Sequence, residues 1–315
     1  SKNEVYLNTL NAWVLDWSAK NPVNQGIQWL CAQEASIRMI NLLLAHFILG
    51  NHSLSSNLKK FVIHHCKRIS PTMHYARAQQ NNHATSEAAG LYIGSAFLLK
   101  LGSLTKTQER LARSWFNKGR KAFEKNVAQL VMDDGSFSQY SVTYHRLMLD
   151  TLSLSVHIQR FFRFPDFSSQ FLFKYELAFK WLYAFTDKIS FNAPNLGSND
   201  GTALFDLSFA SYRDFRPSLQ LASTLLYERL YFQDNNSCDI VRWLGLPISE
   251  TGVVEEESQV YPVGGFVKFQ AKNSWALLRH PVYHFRPSQC DAMHFDLWAN
   301  GINVLCDSGT YSYNP

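Results

Sequence analysis

A change of texture near Thr251 constrains this chain more than any other feature. Before it, apolar residues recur at i, i+3 and i+4 over 24–49, 84–101, 105–130, 141–162 and 218–232. Breakers separate these tracts: NPVNQ, GNHSLSS, LGSLTK, MDDGSF, FRFPDF and APNLGSNDG. The spacing predicts almost continuous helix from Asn3 to Leu244. Such a stack of helical hairpins fits an α/α toroid better than a four-helix bundle, and no fixed-period repeat marks a solenoid. After Thr251 the segments GGFVKFQ, SWALLRH, VYHFRP, HFDLWAN, INVLCDS and TYSYN are short, alternating and rich in β-branched or aromatic residues. Turn residues stand between them at Gly264-Gly265, Lys272-Asn273, Asn300-Gly301 and Ser308-Gly309.

Helices first and strands after predict a mainly α chain followed by β, with a helical domain over 1–250 and the N-terminal part of an antiparallel β-sheet domain over 251–315. The sheet portion is too short for a complete sandwich, so a truncated β-sandwich with an open strand edge is expected.

Composition narrows the class. Of 315 residues, 46% are hydrophobic, 14% aromatic and only 17% charged, which excludes a disordered chain. The longest apolar stretch, 39–50, is cut by Asn41 and His46, so no membrane-spanning helix is expected. Thirty Lys and Arg against 25 Asp and Glu give a net charge of +5. That excess suits an anionic polymer, while the scattered basic residues predict no nucleic-acid partner. The five cysteines, Cys31, Cys66, Cys238, Cys290 and Cys306, are odd in number and contain no CxxC pair, so buried thiols are expected. The chain opens SKNEVYLN, with no basic-then-apolar leader.

Three constellations carry chemistry. In QQNNHATSEAAGLY, Asn81 or Asn82 can cap a helix beginning at Ala84, and His83 and Glu87, four apart, share its first-turn face. On spacing alone, a cap followed by a solvated His–Glu pair is the favoured explanation. In DDGSFSQYSVTYHRLMLD, Tyr144 follows the spacing of Leu147, Met148 and Leu152, toward the core side, with Tyr140, His145 and Arg146 on other faces. In RPSQCDAMHFDLWANGINVLCDSGTYSYN, His294 and Asp296 share one side of a strand and Asp291 and Asp307 bracket a hairpin, a pattern open to either a metal-ligating or a structural role.

Together these segments resemble the heparinase II/III-like polysaccharide lyases, a group that includes certain alginate lyases. The resemblance begins near NPVNQGIQW, with Glu34 and Arg38. It runs through NNHATSEA, DGSFSQYSVTYH, PNLGSNDG and DFRPS to the sheet segment from Tyr261. It implies an incomplete α/α toroid over 1–250 as the catalytic domain, followed by an antiparallel β-sandwich, and β-elimination on a uronic-acid polymer. By resemblance, Asn82 neutralises the uronate carboxylate, Tyr144 is the general base and acid, and His83 shares the base role or orients the sugar. Glu87 would fix His83, and His145, Arg146, Arg213 and His294 are expected at or behind the substrate.

Many relatives carry a His-x-His-x-Asp run where this sequence has Pro287, Gln289 and Asp291. An assisting histidine is thus Pro287 and a metal-binding one Gln289, although the heparinase III branch also has Gln at that second position. His294 stands three residues beyond Asp291. No cofactor is expected, a structural zinc being the single candidate. The implied partner is an acidic polysaccharide and the implied compartment periplasmic or extracellular. A non-catalytic polysaccharide binder for surface-glycan or capsule assembly is the alternative. A toroid glycoside hydrolase would need a carboxylate pair across a cleft, and Glu87, Asp133 and Asp134 are the acidic residues near in sequence. Trp29, Trp115, Trp181, Trp243 and Trp298 are either core or sugar platforms, and Arg38, Arg146, Arg213 and Arg216 either anion contacts or salt-bridged.

Overall fold

The computed structural model describes residues 2–50, 53–232, 236–248, 252, 257–287 and 289–309. Two compact units divide the chain: 1–126 with 155–166, and 127–154 with 167–315. The change of texture near 251 does not coincide with that division, because α8 (Ser169–Ala184) and the turn after it pack with the sheet.

The first unit holds α1 (Lys2–Lys20), α2 (Ala32–Ile48), α3 (Ser56–Ile69), α4 (Met73–Ala78), α5 (Asn82–Leu101), most of α6 (Lys106–Leu130) and the end of α7 (Val142–Phe161). From Ala84 to Leu98 every residue of α5 is buried. Its run of Ala, Gly, Leu, Ile and Phe is apolar all round, which suits a helix enclosed by others. Gly90 allows α2 to approach: a Cβ there would lie 2.6 Å from Ser36 Cβ. Elsewhere in this unit His65 donates from Nδ1 to the Phe61 carbonyl at 2.8 Å and accepts from Arg38 Nε at 3.2 Å. These partners require the neutral ring, and burial pushes its pKa down to about 3.

The second unit holds the end of α6, the start of α7, α8 (Ser169–Ala184), α9 (Arg216–Tyr227), α10 (Asp239–Trp243) and five strands. The strands are β1 (Gln259–Tyr261), β2 (Phe266–Gln270), β3 (Ser274–Arg279), β4 (Phe295–Ala299) and β5 (Ile302–Leu305). They pair antiparallel in chain order. Trp275 and Trp298 are direct cross-strand partners and stack at 5.6 Å between ring centres. Within this unit the sheet docks on α8 and the turn after it. The Trp181 and Phe185 rings lie 5.1 and 5.2 Å from Phe266 and Tyr261 respectively, and Trp275 Nε1 donates to Asp187 at 3.1 Å. Gly264 N donates to Asp134 at 2.6 Å.

Several expectations are corrected. The helix that begins the Asn-His segment starts at Asn82, with Asn81 as its cap. The tract 218–232 is helical only to Tyr227, because Glu228 turns left-handed (φ 55°) and the Gln220 side chain takes the Tyr231 N–H at 2.8 Å. Helix α8 lies outside the periodic tracts named above; its Phe, Tyr and Trp residues point several ways and blur a single stripe. Residues 185–215 form no helix. VYHFRP is not a strand: its backbone groups are taken by side chains, with His284 N donating to Tyr140 Oη and Arg279 donating to the Val282 carbonyl. TYSYN lies outside the described residues. Two cysteines, Cys290 and Cys306, are exposed rather than buried, and Cys31 is intermediate. Of the five tryptophans singled out by sequence, Trp243 is exposed and Trp29, Trp115, Trp181 and Trp298 are core. Among the described residues no helix is long and apolar enough to cross a membrane.

Candidate active site

Asn82, His83 and Glu87 lie in the first unit and Tyr144 in the second. The cap places the first group. Asn81 Oδ1 accepts the His83 N–H at 3.0 Å, capping α5 after the turn that follows α4. One turn on, Glu87 Oε1 accepts from His83 Nδ1 at 3.0 Å, so the ring is fixed with Nε2 as its remaining polar atom. The His83 side chain is 26% exposed and that of Glu87 only 4%. Glu87 Oε2 is buried without a partner. Asn82 is 3% exposed, and its carbonyl accepts from the Thr85 and Ser86 hydroxyls at 3.0 and 2.7 Å.

Tyr144 opens α7. Unlike Leu147, Met148 and Leu152, which are fully enclosed, it is half-buried, and its hydroxyl donates to Asp200 Oδ2 at 2.8 Å. The other Asp200 oxygen accepts the Thr202 N–H at 3.2 Å, fixing the carboxylate in its own turn. The loop bearing Asp200 is fastened to the same helix end: the Ser198 carbonyl accepts from Ser141 Oγ at 2.6 Å and Thr143 Oγ1 at 3.0 Å. Gly197 makes this approach possible. Its φ is +73°, and a Cβ would run into the Tyr140 carbonyl oxygen. Asp200 is absent from the residues singled out by sequence; its segment PNLGSNDG resembles a family loop, but its Gly and Asn read first as turn formers.

The remaining candidates separate. His145 is a core residue. It is 1% exposed, stacks on Trp181 at 4.5 Å and shares a 2.8 Å hydrogen bond with the Ala178 carbonyl. Burial pushes its pKa down to about 4, and it has no surface to offer a substrate. Arg146 is buried between the Tyr212 and Phe215 rings, 4.4 and 4.7 Å from their centres. Arg213 bonds Ala193 O and Asn195 Oδ1, and burial lowers its pKa. His294 Nε2 lies 3.4 Å from Asp296 Oδ2, and that bond raises its pKa. Asp296 is fully buried, accepting from Trp298 Nε1 and Asn303 Nδ2 at 2.5 and 2.7 Å, a structural role.

Among anion candidates, Arg216 pairs with Asp214 at 2.6 Å, and Arg38 donates to the Gln28 carbonyl at 2.9 Å. Asp133 is paired with Lys174 at 2.6 Å and Asp134 is bonded to Ser136 and Gly264, so each is engaged structurally.

Asp291 accepts the Gly197 N–H at 3.0 Å, and burial followed by the nearby Asp307 charge raises its pKa. Among the described residues no group of three or more His, Cys, Asp or Glu gathers to hold a metal ion. With Gln289 in place of a second histidine, the residues around Asp291 and His294 do not make a zinc donor set.

The profile described as heparinase II/III N-terminus matches residues 1–204. The chain belongs to the heparinase II/III family. A second profile, heparinase II/III-like, C-terminal, matches residues 254–315. The family is one of polysaccharide lyases. Among solved structures, a heparinase III is 14% identical, with a TM-score of 0.67 over 99% of this chain and 48% of its own. Another heparinase III is 18% identical with a TM-score of 0.64, over 97% and 48%. A mutant heparan sulfate lyase from Pedobacter heparinus is 17% identical with a TM-score of 0.59, over 97% and 46%. These likenesses establish the fold: a mainly helical region followed by an antiparallel sheet. The chain spans about half the length of the solved structures it matches. No curated protein matches the sequence.

Proposed function

We propose that this chain forms the lyase part of a bacterial enzyme that cleaves a uronate-containing polysaccharide by β-elimination. The observation that carries the reading is the half-exposed Tyr144 at the start of α7, its hydroxyl hydrogen-bonded to Asp200, in a family of polysaccharide lyases. The C5 proton of a uronate is weakly acidic while the neighbouring carboxylate is charged. A hydrogen bond from the Asn82 amide would stabilise the carbanion that develops there. As the C5–H bond breaks, its proton passes to the base and its electrons delocalise into the carboxylate group. They form the C4–C5 double bond as the C4–O4 bond breaks, its electrons leave on O4 and O4 takes a proton. Tyr144 and His83 are the groups assigned to these transfers. A phenol ordinarily titrates near 10, so Tyr144 is suited first to giving its proton to O4. His83, held by Glu87, is suited to taking one through Nε2.

The substrate class follows from this chemistry: an acidic polysaccharide with a uronate bearing its leaving group at C4. The test is a panel of such polymers, read by ultraviolet absorbance of the unsaturated uronate, with Tyr144→Phe beside the parent. A signal lost in Tyr144→Phe supports the reading; no signal on any uronate polymer overturns it. The burial of Asn82, with Pro287 where relatives carry an assisting histidine, favours a second reading as a non-catalytic glycan binder. Retained binding without cleavage is its signature.

A further inference from the structure

Charge is divided unequally between the two units. The unit 1–126 with 155–166 carries 18 Lys and Arg against 7 Asp and Glu, a net +11, and the other carries 12 against 18, a net −6, which together make the +5 of the chain. The excess is most regular along α6. That helix turns Ala112, Trp115, Phe116 and Phe123 inward, all buried, and Gly119 brings it against α5: a Cβ there would lie 2.6 Å from Tyr92 N. At about 100° per residue, Lys106, Arg110, Lys121 and Lys125 fall on the opposite side, within an arc of roughly 100° that runs about 28 Å along the axis. All four are exposed, and among the described residues none has an ion-pair or hydrogen-bond partner. The two carboxylates of the helix are already engaged, Glu109 by Arg113 at 2.6 Å and Glu124 by Arg120 at 3.0 Å.

A solvated helix face ordinarily intersperses charges of both signs. Here Lys106 and Arg110, and again Lys121 and Lys125, stand four apart and repel one another, a repulsion that a polyanion laid along the face would relieve. Thr107, Ser114 and Asn117 lie on the same arc, are exposed, and offer hydroxyl and amide groups to a hydroxylated ligand. A single-stranded nucleic acid draws on exposed rings for stacking, and a membrane surface on exposed apolar side chains among the cations. The arc presents neither, because the rings of Trp115, Phe116 and Phe123 face the core. We propose that this outward face of α6 is a binding surface for an acidic polysaccharide, whose carboxylates it takes through Lys106, Arg110, Lys121 and Lys125. The basic character of the whole unit raises the local concentration of such a polymer around it. The surface does not rest on the lyase reading, since none of these side chains takes part in the elimination.

The test measures binding of fluorescein-labelled alginate, a polymer with a carboxylate on every residue, by anisotropy at low and high salt. Labelled dextran is the neutral comparator, and double-stranded DNA and phosphatidylserine vesicles represent the other polyanions. Every form carries Tyr144→Phe, so the polymer stays intact and the outcome is independent of whether the parent cleaves it. Lys106→Gln, Arg110→Gln, Lys121→Gln and Lys125→Gln together are expected to weaken alginate binding by roughly tenfold or more and to flatten its salt dependence. The same change of charge at scattered exposed positions, Lys20→Gln, Arg229→Gln, Arg242→Gln and Lys272→Gln, is expected to weaken it by less than about twofold, because salt screens isolated surface charges. Gln keeps helix propensity, and circular dichroism checks folding; if the fourfold α6 variant does not fold, Lys121→Gln with Lys125→Gln decides, with roughly threefold loss expected. Alginate bound no better than dextran, binding unchanged in the folded α6 variant, an equal loss in both fourfold variants, or tighter binding of DNA or vesicles than of alginate at the same salt overturns the proposal.

Discussion

The Tyr144 hydroxyl donates to Asp200 at 2.8 Å, which ties the first turn of α7 to a loop 56 residues further along the chain. The bond aims the phenol and gives its proton a resting acceptor. Asp200→Asn keeps the shape and loses the charge. If Tyr144 is the acid of an elimination, kcat on a uronate polymer is expected to fall by about 10–100-fold, part of the 10²–10⁴ range of acid–base contributions. Because the bond is exposed, the melting temperature should barely move, a loss of about 1 kcal/mol or less. A steady-state assay beside a thermal melt checks both; unchanged kcat with intact folding would remove Asp200 from the reaction.

Gly197 permits that pairing through its backbone. Gly197→Ala puts a methyl group against the Tyr140 carbonyl at a positive φ. The expected loss is about 1–3 kcal/mol, with activity falling alongside as Asp200 is displaced. Denaturant unfolding measures the first, and the uronate assay the second.

Acid should destabilise the chain before its carboxylates titrate normally. Burial lowers His65 to about 3, and His145 and His157 to about 4, from an ordinary 6.5. Between these values the unfolded chain binds protons that the folded one refuses, so stability present at neutral pH is lost as pH falls. From pH 7 to 5 each histidine withdraws roughly 2 kcal/mol. Asp150 works oppositely: raised to about 7 by burial, it takes its proton first in the folded state and returns roughly 2 kcal/mol over the same interval. Melting temperatures measured across this range should therefore drop, and His145→Phe should flatten the slope. A stability profile independent of pH from 7 to 5 would contradict this account.

Arg279 anchors the sheet. It is 1% exposed and donates to four main-chain carbonyls, those of Gly264, Gly265, His280 and Val282, at 2.6–3.0 Å. Tyr140, Phe266 and Tyr283 rings lie 4.6–4.7 Å from it. Lysine keeps the charge and loses the planar fork. Arg279→Lys should cost about 3–5 kcal/mol, the range for breaking a buried charged network, seen as a large drop in denaturation midpoint.

The helices and hairpins that sequence revealed are those with local causes. The Asn300-Gly301 pair, with φ of 49° and 80°, marks the β4–β5 turn, and the periodic stripe of 105–130 gives α6. What stayed hidden depends on distant partners. Nothing local reveals that the NDG turn delivers Asp200 to Tyr144, or that Tyr140 and Arg279 hold VYHFRP away from a ladder. His145 and Arg146, adjacent to Tyr144 in sequence, illustrate the converse: helical rotation buries both, and neighbourhood along the chain says nothing of access.

The four acceptors of Arg279 lie on both sides of the β2–β3 hairpin, two before β2 and two after β3. They converge only when the strands are correctly aligned. A slip of one residue would turn the guanidinium to the opposite face and strand the carbonyls. Arg279 therefore ties strand register to buried hydrogen bonding: a misaligned hairpin would leave its guanidinium and the facing carbonyls without one another.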